Sequence, residues 1–458
     1  MQAAGGAAAR VHFGNVGQPP RRPPRSAATY LLYNFALLCA SPVLLAGLVF
    51  RLLRGKSRAG WRQRWGRDLP PLPSDGRRIW VHAASVGEVM AAAPILRAYR
   101  TLRPDDCVVL SVITPGGYET ASALVGKGVD AALYAPFDVP HAVRRALRHI
   151  RPDVLVLMET EIWPNLIHLA RRTGAKTLLL NGRISDRSFP RYRLIRPIMR
   201  WCLAQLDAIL VQTARDAERF VALGAPAERV QVGGNSKFDQ APEPLSPEEV
   251  EVLRSELRLP RGARVLLVAS TRNIKEEEVL WALYKHLCAY GRNLCLIHAP
   301  RHIDRADEIC QAMRDAGLNP IRRSLLQPGD TDVRHLVLDT FGELAQVCAL
   351  ADVVWIGNSL FPPGGGQNLL QPLAQGKPVV CGPYMQNFRD LTEMAVEAGV
   401  AVQLADDPEK EMSAITHLLD DADSRSRIEK AAIQLIRENR GAAQRYAERI
   451  AQAIEDHG

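Results

Sequence analysis

Short apolar runs recur along this chain in two long series, separated by amphipathic stretches. The first series starts at Ile79-Trp-Val81 and continues through Cys107–Val112, Ala131–Tyr134, Val154–Met158, 177–180, Ala208–Val211 and Val230–Val232. Each run is short, rich in branched residues and bounded by turn formers, as expected of buried strands. Helical patterns fill most intervals; after the first run, Val89, Ile95, Leu96 and Tyr99 share one helix face. The second series is 265–268, 294–297, 336–338, Val353–Ile356 and Val379–Cys381. Strand–helix alternation predicts an α/β fold with a parallel, doubly wound sheet in each half. Pro242, Pro244 and Pro247 mark a linker between the halves, and residues 428–454 read as a closing helical segment. A chain of 458 residues is also too long for a single core. Two similar halves predict a cleft between two Rossmann-like domains, at 53–240 and 261–458, joined by a linker over 241–260.

Ahead of the first series the pattern changes. Residues 27–50 are mainly apolar and uncharged, and a helix over 27–52 is long enough to span the hydrocarbon layer. Asn34 and Pro42 interrupt it, although proline is tolerated in membrane helices. The run is long for a secretory signal, and a basic block follows it in place of a small-residue cleavage site. A buried or surface-lying amphipathic helix is the alternative. The basic block is Arg51, Arg54, Lys56, Arg58, Arg62, Arg64 and Arg67, with Trp61 and Trp65 expected at the headgroup level. By the positive-inside rule it places the body on the cytoplasmic side, although Arg21, Arg22 and Arg25 reduce the asymmetry. Residues 1–26, rich in Ala, Gly, Pro and Arg and without periodicity, are expected to form a disordered basic tail.

Charge sharpens this division. Residues 1–75 hold 11 Lys and Arg against 2 Asp and Glu, which accounts for the whole net charge of +9. The body is therefore balanced, which argues against a nucleic-acid-binding surface and for a membrane-facing end. Eight cysteines, mostly in apolar runs and with no C-x-x-C pair, read as reduced core residues. No zinc-ligand spacing occurs.

Candidate chemistry gathers where strands end. Ligands of open α/β sheets bind outside the carboxyl ends of the strands. Glu88, in Ser85-Val-Gly-Glu88, stands at such an end and beside a helix N-terminus, where a carboxylate is favoured as the ionised form and suits a general base. The same S-x-x-E is also a capping box. Glu159 and Glu161 follow the run Val154–Met158, as cleft carboxylates or as acids serving a helix dipole. Arg183 follows 177–180 and suits an anion. Gly233-Gly234 suits close backbone approach to a ligand, and Lys237 puts a cation near the same edge. In the second half, Arg301 is a phosphate-ligand candidate. Asp339-Thr-Phe-Gly-Glu343 opens a helix, with Asp339 or Thr340 as cap or with amides facing a ligand. Gly357-Asn-Ser-Leu-Phe-Pro-Pro-Gly-Gly-Gly-Gln-Asn368 precedes a short helix at 368–375, a setting for an anion or for a flexible loop. It is neither a P-loop nor an ordinary dinucleotide fingerprint. Asp330/Asp332 and Asp421/Asp423 read as solvated turns.

His82-Ala-Ala-Ser-Val-Gly-Glu88, Glu159-Thr-Glu-Ile-Trp-Pro-Asn165, Asn181-Gly-Arg-Ile-Ser185, Lys237-Phe-Asp239, Pro300-Arg-His302, Gly342-Glu-Leu344 and the stretch 368–382 occur in that order. Together they resemble the bacterial Kdo transferases of lipopolysaccharide synthesis, from about residue 27 to the C-terminus. The resemblance implies a GT-B fold: two Rossmann-like domains facing a cleft, with the acceptor in the first, the nucleotide in the second, and an N-terminal membrane-anchor helix. It implies inverting transfer of Kdo (3-deoxy-D-manno-oct-2-ulosonic acid) from CMP-Kdo, a co-substrate, to a lipid A precursor of the lipid IVA type. The body would sit at the cytoplasmic face of the inner membrane, in contact with its lipid. Residue by residue, Glu88 matches the proton acceptor, and Glu159 and Lys237 match positions that stabilise the transition state. Pro300, Arg301, Phe341, Gly342, Glu343, Asn368, Leu369, Leu370 and Gln371 match the CMP-binding positions. No cofactor and no metal are expected, because Arg301 and helix amides suffice for one phosphodiester.

Three departures fall in the donor half. Gln367 stands where the family usually has His, Gln371 where it has Glu, and Arg272-Asn-Ile-Lys275 where it has His-x-Gly. Gln371 keeps an acceptor oxygen but loses the charge that would meet ribose hydroxyls. A GT-B enzyme using a different nucleotide sugar is therefore one alternative, and a non-catalytic lipid- or sugar-binding homologue another.

Overall fold

The computed structural model describes residues 26–53, 59–73, 76–186, 188–404 and 408–456. The chain divides into two compact units that meet between Ser57 and Arg58. In the first, the apolar run forms one helix, Ser26–Leu53, with Pro42 inside it. Among the described residues, no helix is long and apolar enough to cross a membrane. The predicted tail up to residue 25, and Arg54, Lys56 and Arg58 of the basic block, lie outside the described residues.

The second unit contains two seven-stranded sheets. In the first, β1 (Arg78–His82), β2 (Cys107–Val112), β3 (Ala131–Tyr134), β4 (Val154–Met158), β5 (Lys176–Gly182), β6 (Ala208–Val211) and β7 (Val230–Val232) lie in the order β3-β2-β1-β4-β5-β6-β7. The second is built from β8 (Arg264–Thr271), β9 (Leu294–Pro300), β10 (Ile321–Arg322), β11 (His335–Val337), β12 (Val353–Ile356), β13 (Val379–Cys381) and β14 (Ala401–Gln403). Its order is β10-β11-β9-β8-β12-β13-β14. Every pairing between these strands is parallel. The central strands are buried along their length, because helices cover both faces, and so read as unbroken apolar runs. Every predicted strand forms. The short β10 and β14 were not legible: Ile321-Arg322 and Ala401-Val-Gln403 are too brief for a period to show.

Chain order reverses between β1 and β4, and again between β8 and β12. These are the switch points where neighbouring loops diverge and leave a crevice at the carboxyl edge. The loops carrying Glu88 and Glu159 flank the first crevice. Those carrying Arg272 and the glycine stretch flank the second.

The crossings between the sheets differ from the sequence pattern. The linker predicted over 241–260 is shorter. Ser246 and Glu249 form a capping box for the helix Pro247–Glu256, and Leu253, Leu257 and Leu259 join the core of the second sheet. The closing segment is two helices, Ala422–Asn439 and Ala442–Glu455, broken at Gly441 with φ +81°. The last helix does not close the second domain. It returns to the first, where Tyr446, Ala447, Ile450 and Ile454 are buried in the same core as Val89, Ile95 and Tyr99.

The two crossings are tied together. The Asp239 carboxylate accepts the amides of Gly441 (2.6 Å) and Ala443 (2.8 Å). Arg440 donates to the carbonyls of Ala241 (2.9 Å) and Pro242 (2.7 Å). Asp239 therefore caps the final helix from a distant part of the chain. Asp239→Ala is expected to lower stability by about 1–2 kcal/mol, the usual cost of losing a cap, as a fall in the urea midpoint; an unchanged midpoint would deny the cap that role.

Candidate active site

Glu88 lies in the first turn of the helix Val86–Leu102, which β1 feeds through Ala83 and Ala84. Its carboxylate accepts the Ala84 amide (2.8 Å) and the Ser85 hydroxyl (3.1 Å). The capping box is thus not the arrangement found: the Ser85 side chain caps no backbone amide and instead donates to Glu88. Burial pushes the Glu88 carboxyl up to about 8, reinforced by the negative charges of Glu161 and Glu159. The bonds from Ala84 and Ser85 pull the other way and do not win. This corrects the expectation that the helix N-terminus keeps Glu88 ionised. Desolvation and like charge outweigh the dipole and favour the protonated carboxyl near neutral pH.

Glu159 follows β4 directly with φ +50°, a left-handed conformation unfavourable for a glutamate. Its amide still reaches the Leu180 carbonyl (3.0 Å), and its side chain meets Lys237 Nζ at 3.0 Å. Lys237 is placed by a buried polar frame. Asn235 Oδ1 accepts its amide (3.0 Å), Ser236 N donates to Asn181 Oδ1 (3.1 Å), and Ser236 Oγ donates to the Ala91 carbonyl (2.8 Å). Burial alone would favour the neutral amine, but the charges of Glu159 and Asp390 outweigh it and hold the Lys237 pKa above its ordinary value. Arg183, expected to meet an anion, meets two: Asp390, and Glu393 at 3.2 Å, both on the helix Arg389–Glu397 of the other sheet. A cavity of about 140 Å³ beside this group is lined by Glu159, Thr160, Arg183, Ser185, Ser188 and Tyr192.

Gly233 and Gly234 are packed against the final helix. A Cβ on Gly233 would lie 2.3 Å from the Tyr446 ring, and Arg445 and Tyr446 donate to the carbonyls of these glycines. A larger, open concavity of about 740 Å³ lies among Arg144, Arg148, Arg151 and Arg172. It sits at the amino-terminal edge of the first sheet, where arginines end helices and complement their dipoles. Its one carboxylate, Asp153, is held by Arg77.

In the second sheet, β9 ends at Pro300, and the Arg301 side chain is exposed while its amide is fixed to the Thr271 carbonyl (2.9 Å). After β11, Phe341 is 85% exposed and Gly342 has φ +87°. Glu343 accepts from Arg323 (3.1 Å) and Thr340. Neither Asp339 nor Thr340 caps the following helix: Asp339 holds Ser324 (N at 2.9 Å) and Arg322 (Nε at 2.7 Å). The Leu369 and Leu370 side chains are buried in the core, and the Leu370 amide is taken by Asn368 Oδ1 (3.0 Å). Gln371 is partly exposed in the helix Leu370–Ala374.

The glycine stretch is not an open anion cradle. The amides of Gly365 and Gly366 donate to the carbonyls of Tyr384 (3.0 Å) and Asn358 (2.8 Å). A Cβ on either would come within 2.3 Å of Asn387 or Met385. It is equally not a loose loop, because those contacts fix it.

Sequence reasoning missed what anchors this stretch. Glu276, 1% exposed, accepts the amides of Asn358 (2.6 Å), Ser359 (3.0 Å) and Leu360 (3.1 Å). Glu277, fully buried, forms two bonds to Arg305 at 2.9 and 3.0 Å. The signal was consecutive glutamates opening a helix at the second switch point. The departure at Arg272-Asn-Ile-Lys275 therefore leaves the carboxylates that hold the neighbouring loop in place. Asp332 pairs with Arg334 in an exposed turn, as expected, whereas Asp421 caps the helix Ala422–Asn439 and is not simply a solvated turn residue.

Two doubly wound parallel sheets, with a carboxylate–lysine group at the edge of one, make this a two-domain α/β protein of GT-B-like fold. A glycosyltransferase from Rickettsia africae shares the fold, with a TM-score of 0.51 at 12% identity over 84% of this chain and 99% of its own. The particular family follows from sequence. The 3-deoxy-D-manno-octulosonic-acid transferase (kdotransferase) profile matches residues 59–240. The transferase of that name from Haemophilus influenzae is 31% identical over 430 residues, 92% of this chain and 98% of its own. That of Bordetella pertussis is 35% identical over 389 residues, 82% and 88% of the two chains. The chain belongs to the Kdo transferase family and is a glycosyltransferase.

Proposed function

We propose that the enzyme transfers Kdo from CMP-Kdo to a lipid A precursor of the lipid IVA type, with Glu88 as general base. The acceptor hydroxyl attacks the anomeric carbon of Kdo as Glu88 takes its proton. The bond from that carbon to the CMP phosphate breaks, CMP leaves with the electron pair, and the anomeric centre inverts. Glu88 must be ionised to begin, so the rate rises with pH through about 8. Lys237 offsets the negative charge of the Kdo carboxylate and the departing phosphate, and Glu159 aims it. Exposed Arg301 and Phe341, at one edge of the second sheet, suit a phosphate and a base.

The observation that carries this reading is the Glu159–Lys237 ion pair at the first switch point, with Glu88 on the adjoining loop near enough to feel the Glu159 charge, in a chain of this family. The basic residues after the apolar helix Ser26–Leu53 favour attachment to an anionic membrane surface, as at the cytoplasmic face of the inner membrane. Gln367 and Gln371 favour one rival, a different nucleotide sugar. A donor panel decides between them: consumption of CMP-Kdo alone is expected, and turnover of another CMP- or UDP-sugar with CMP-Kdo inert would overturn the donor assignment.

A further inference from the structure

We propose that the arginine-lined concavity at the amino-terminal edge of the first sheet is a second binding site, one that takes the phosphate groups of anionic phospholipids and seats this edge of the body on the membrane surface. It rests on the membrane location proposed above and is independent of Glu88 and of the sugar transferred. Arg144, Arg148 and Arg151 recur four and three residues apart along one side of the helix Pro140–Ile150 and its end. Arg172, the last residue of the helix Pro164–Arg172, joins them in lining an opening of about 740 Å³. All four are exposed, with buried Leu147 and Leu169 among them.

These arginines lack the counter-charge that their neighbours have. Among the described residues none of the four forms an ion pair, whereas Arg171 meets Asp207 at 3.4 Å and Arg77 meets Asp153 at 3.0 Å. Asp153, the single carboxylate of the lining, also accepts the Arg78 amide (2.8 Å). Helix dipoles do not account for the cluster. Arg144 stands mid-helix, away from the C-terminus where a cation is favoured. The last carbonyls are already met: that of Ile150 accepts Arg78 Nη1 (3.1 Å), that of Arg148 accepts Arg151 Nε (3.3 Å), and that of Ala170 accepts Thr173 Oγ1 (2.7 Å). Like charges four residues apart on a helix repel, so Arg144 and Arg148 strain the helix unless an anion lies between them. Guanidinium groups match a phosphate with paired N–H bonds.

Two observations commit the site to lipid. The adjacent stripe of the same helix holds the part of the body joined most directly to the apolar helix Ser26–Leu53. Arg145 donates to the Trp65 carbonyl (3.4 Å), His149 Nε2 donates to the Pro70 carbonyl (2.8 Å), and the Trp65 ring stacks on His141 with centroids 5.1 Å apart. Trp61 and Trp65 pack edge-on against Phe137, at 5.7 and 5.1 Å, and remain partly exposed, as suits rings at the headgroup level. In addition, the lining has no aromatic side chain to stack on a base, so a nucleotide would be held by its phosphates alone. A lipid surface offers many phosphates at once, and each arginine near it adds attraction.

The test is arginine modification by butanedione, read at each residue by peptide mass, on the full-length protein in nanodiscs of phosphatidylcholine with or without phosphatidylglycerol. Arg144, Arg148 and Arg172 should react several-fold more slowly in the mixed discs, and exposed Arg261, ahead of the second sheet, should react alike in both. The variant Arg144→Gln/Arg148→Gln/Arg172→Gln removes exposed cations only and should melt with the parent. In it, Arg151 should react alike in both discs. Equal rates for the parent in both discs, or protection of Arg151 kept in the triple variant, would overturn the proposal. Protection of the detergent-held protein by inorganic phosphate, with none from the mixed discs, would overturn the lipid assignment in favour of a free anion. Failure to enter discs of either kind sinks the membrane location itself, whereas entry without protection sinks only this site.

Discussion

Glu88→Gln is expected to lower kcat by about 10²- to 10⁴-fold, the contribution of a positioned general base, while raising stability in alkali. The amide oxygen keeps the Ala84 amide and the NH2 group donates to the Ser85 hydroxyl in place of the lost acceptor, but the side chain takes no proton. The stability effect follows from the same environment. The Glu88 carboxyl titrates near 8 in the folded protein and near 4.5 in the unfolded chain. Between those values the folded state keeps a proton that the unfolded state has released. The stability contribution of this group is therefore complete below about 4.5 and is lost as pH rises through about 8. Above 8 the parent carries a buried carboxylate beside Glu159 and Glu161, and the glutamine variant does not. Melting temperatures should coincide in acid and diverge in alkali, with the variant higher. A variant that melts lower than the parent above pH 8 would mean that Glu88 is a structural cap and not a strained base.

Lys237→Met should be the second large loss. The ammonium and Glu159 are mostly buried, at 18% and 16% side-chain exposure. Removing the cation leaves a carboxylate facing the cleft with no counter-charge. Losing one partner of a buried pair costs about 3–5 kcal/mol; residual solvent here brings that to about 2–3 kcal/mol. Catalysis should fall by about 10²- to 10³-fold, the scale for removing one preorganised electrostatic group. The double variant Lys237→Met/Glu159→Gln separates the effects. It should recover most of the stability, because the uncompensated charge is gone, and none of the activity. A double variant no more stable than Lys237→Met alone would show that the pair is not coupled.

Much of this was legible in the sequence because both sheets are parallel and buried on both faces. Val154–Met158 or Val353–Ile356 shows as an unbroken apolar run, and each active-site candidate follows such a run. Glu88, Glu159 and Lys237 lie on one sheet edge for that reason. What was illegible depends on contacts between distant parts of the chain. Nothing local in Gly233-Gly234 says that its close neighbour is Tyr446. Nothing near Asp239 says that it caps a helix two hundred residues on. The final helix carries an amphipathic pattern, which says that one face is buried but not in which core. The Glu88 titration was misjudged for a related cause. The helix N-terminus is a local feature visible in the sequence, whereas burial and the charge of Glu161 are tertiary, and the tertiary terms are larger.

The central claim is that this protein moves Kdo and that Glu88 takes the proton. The most direct measurement incubates purified full-length protein with CMP-Kdo and a tetraacylated lipid A precursor in detergent, and reads the lipid by mass. Glu88→Gln is run alongside. The account predicts a gain of one or more Kdo units that increases with pH through about 8 and is absent from the variant. An unchanged lipid mass, beside an active transferase in the same assay, would contradict the assigned reaction, and equal product from Glu88→Gln would contradict the assigned base.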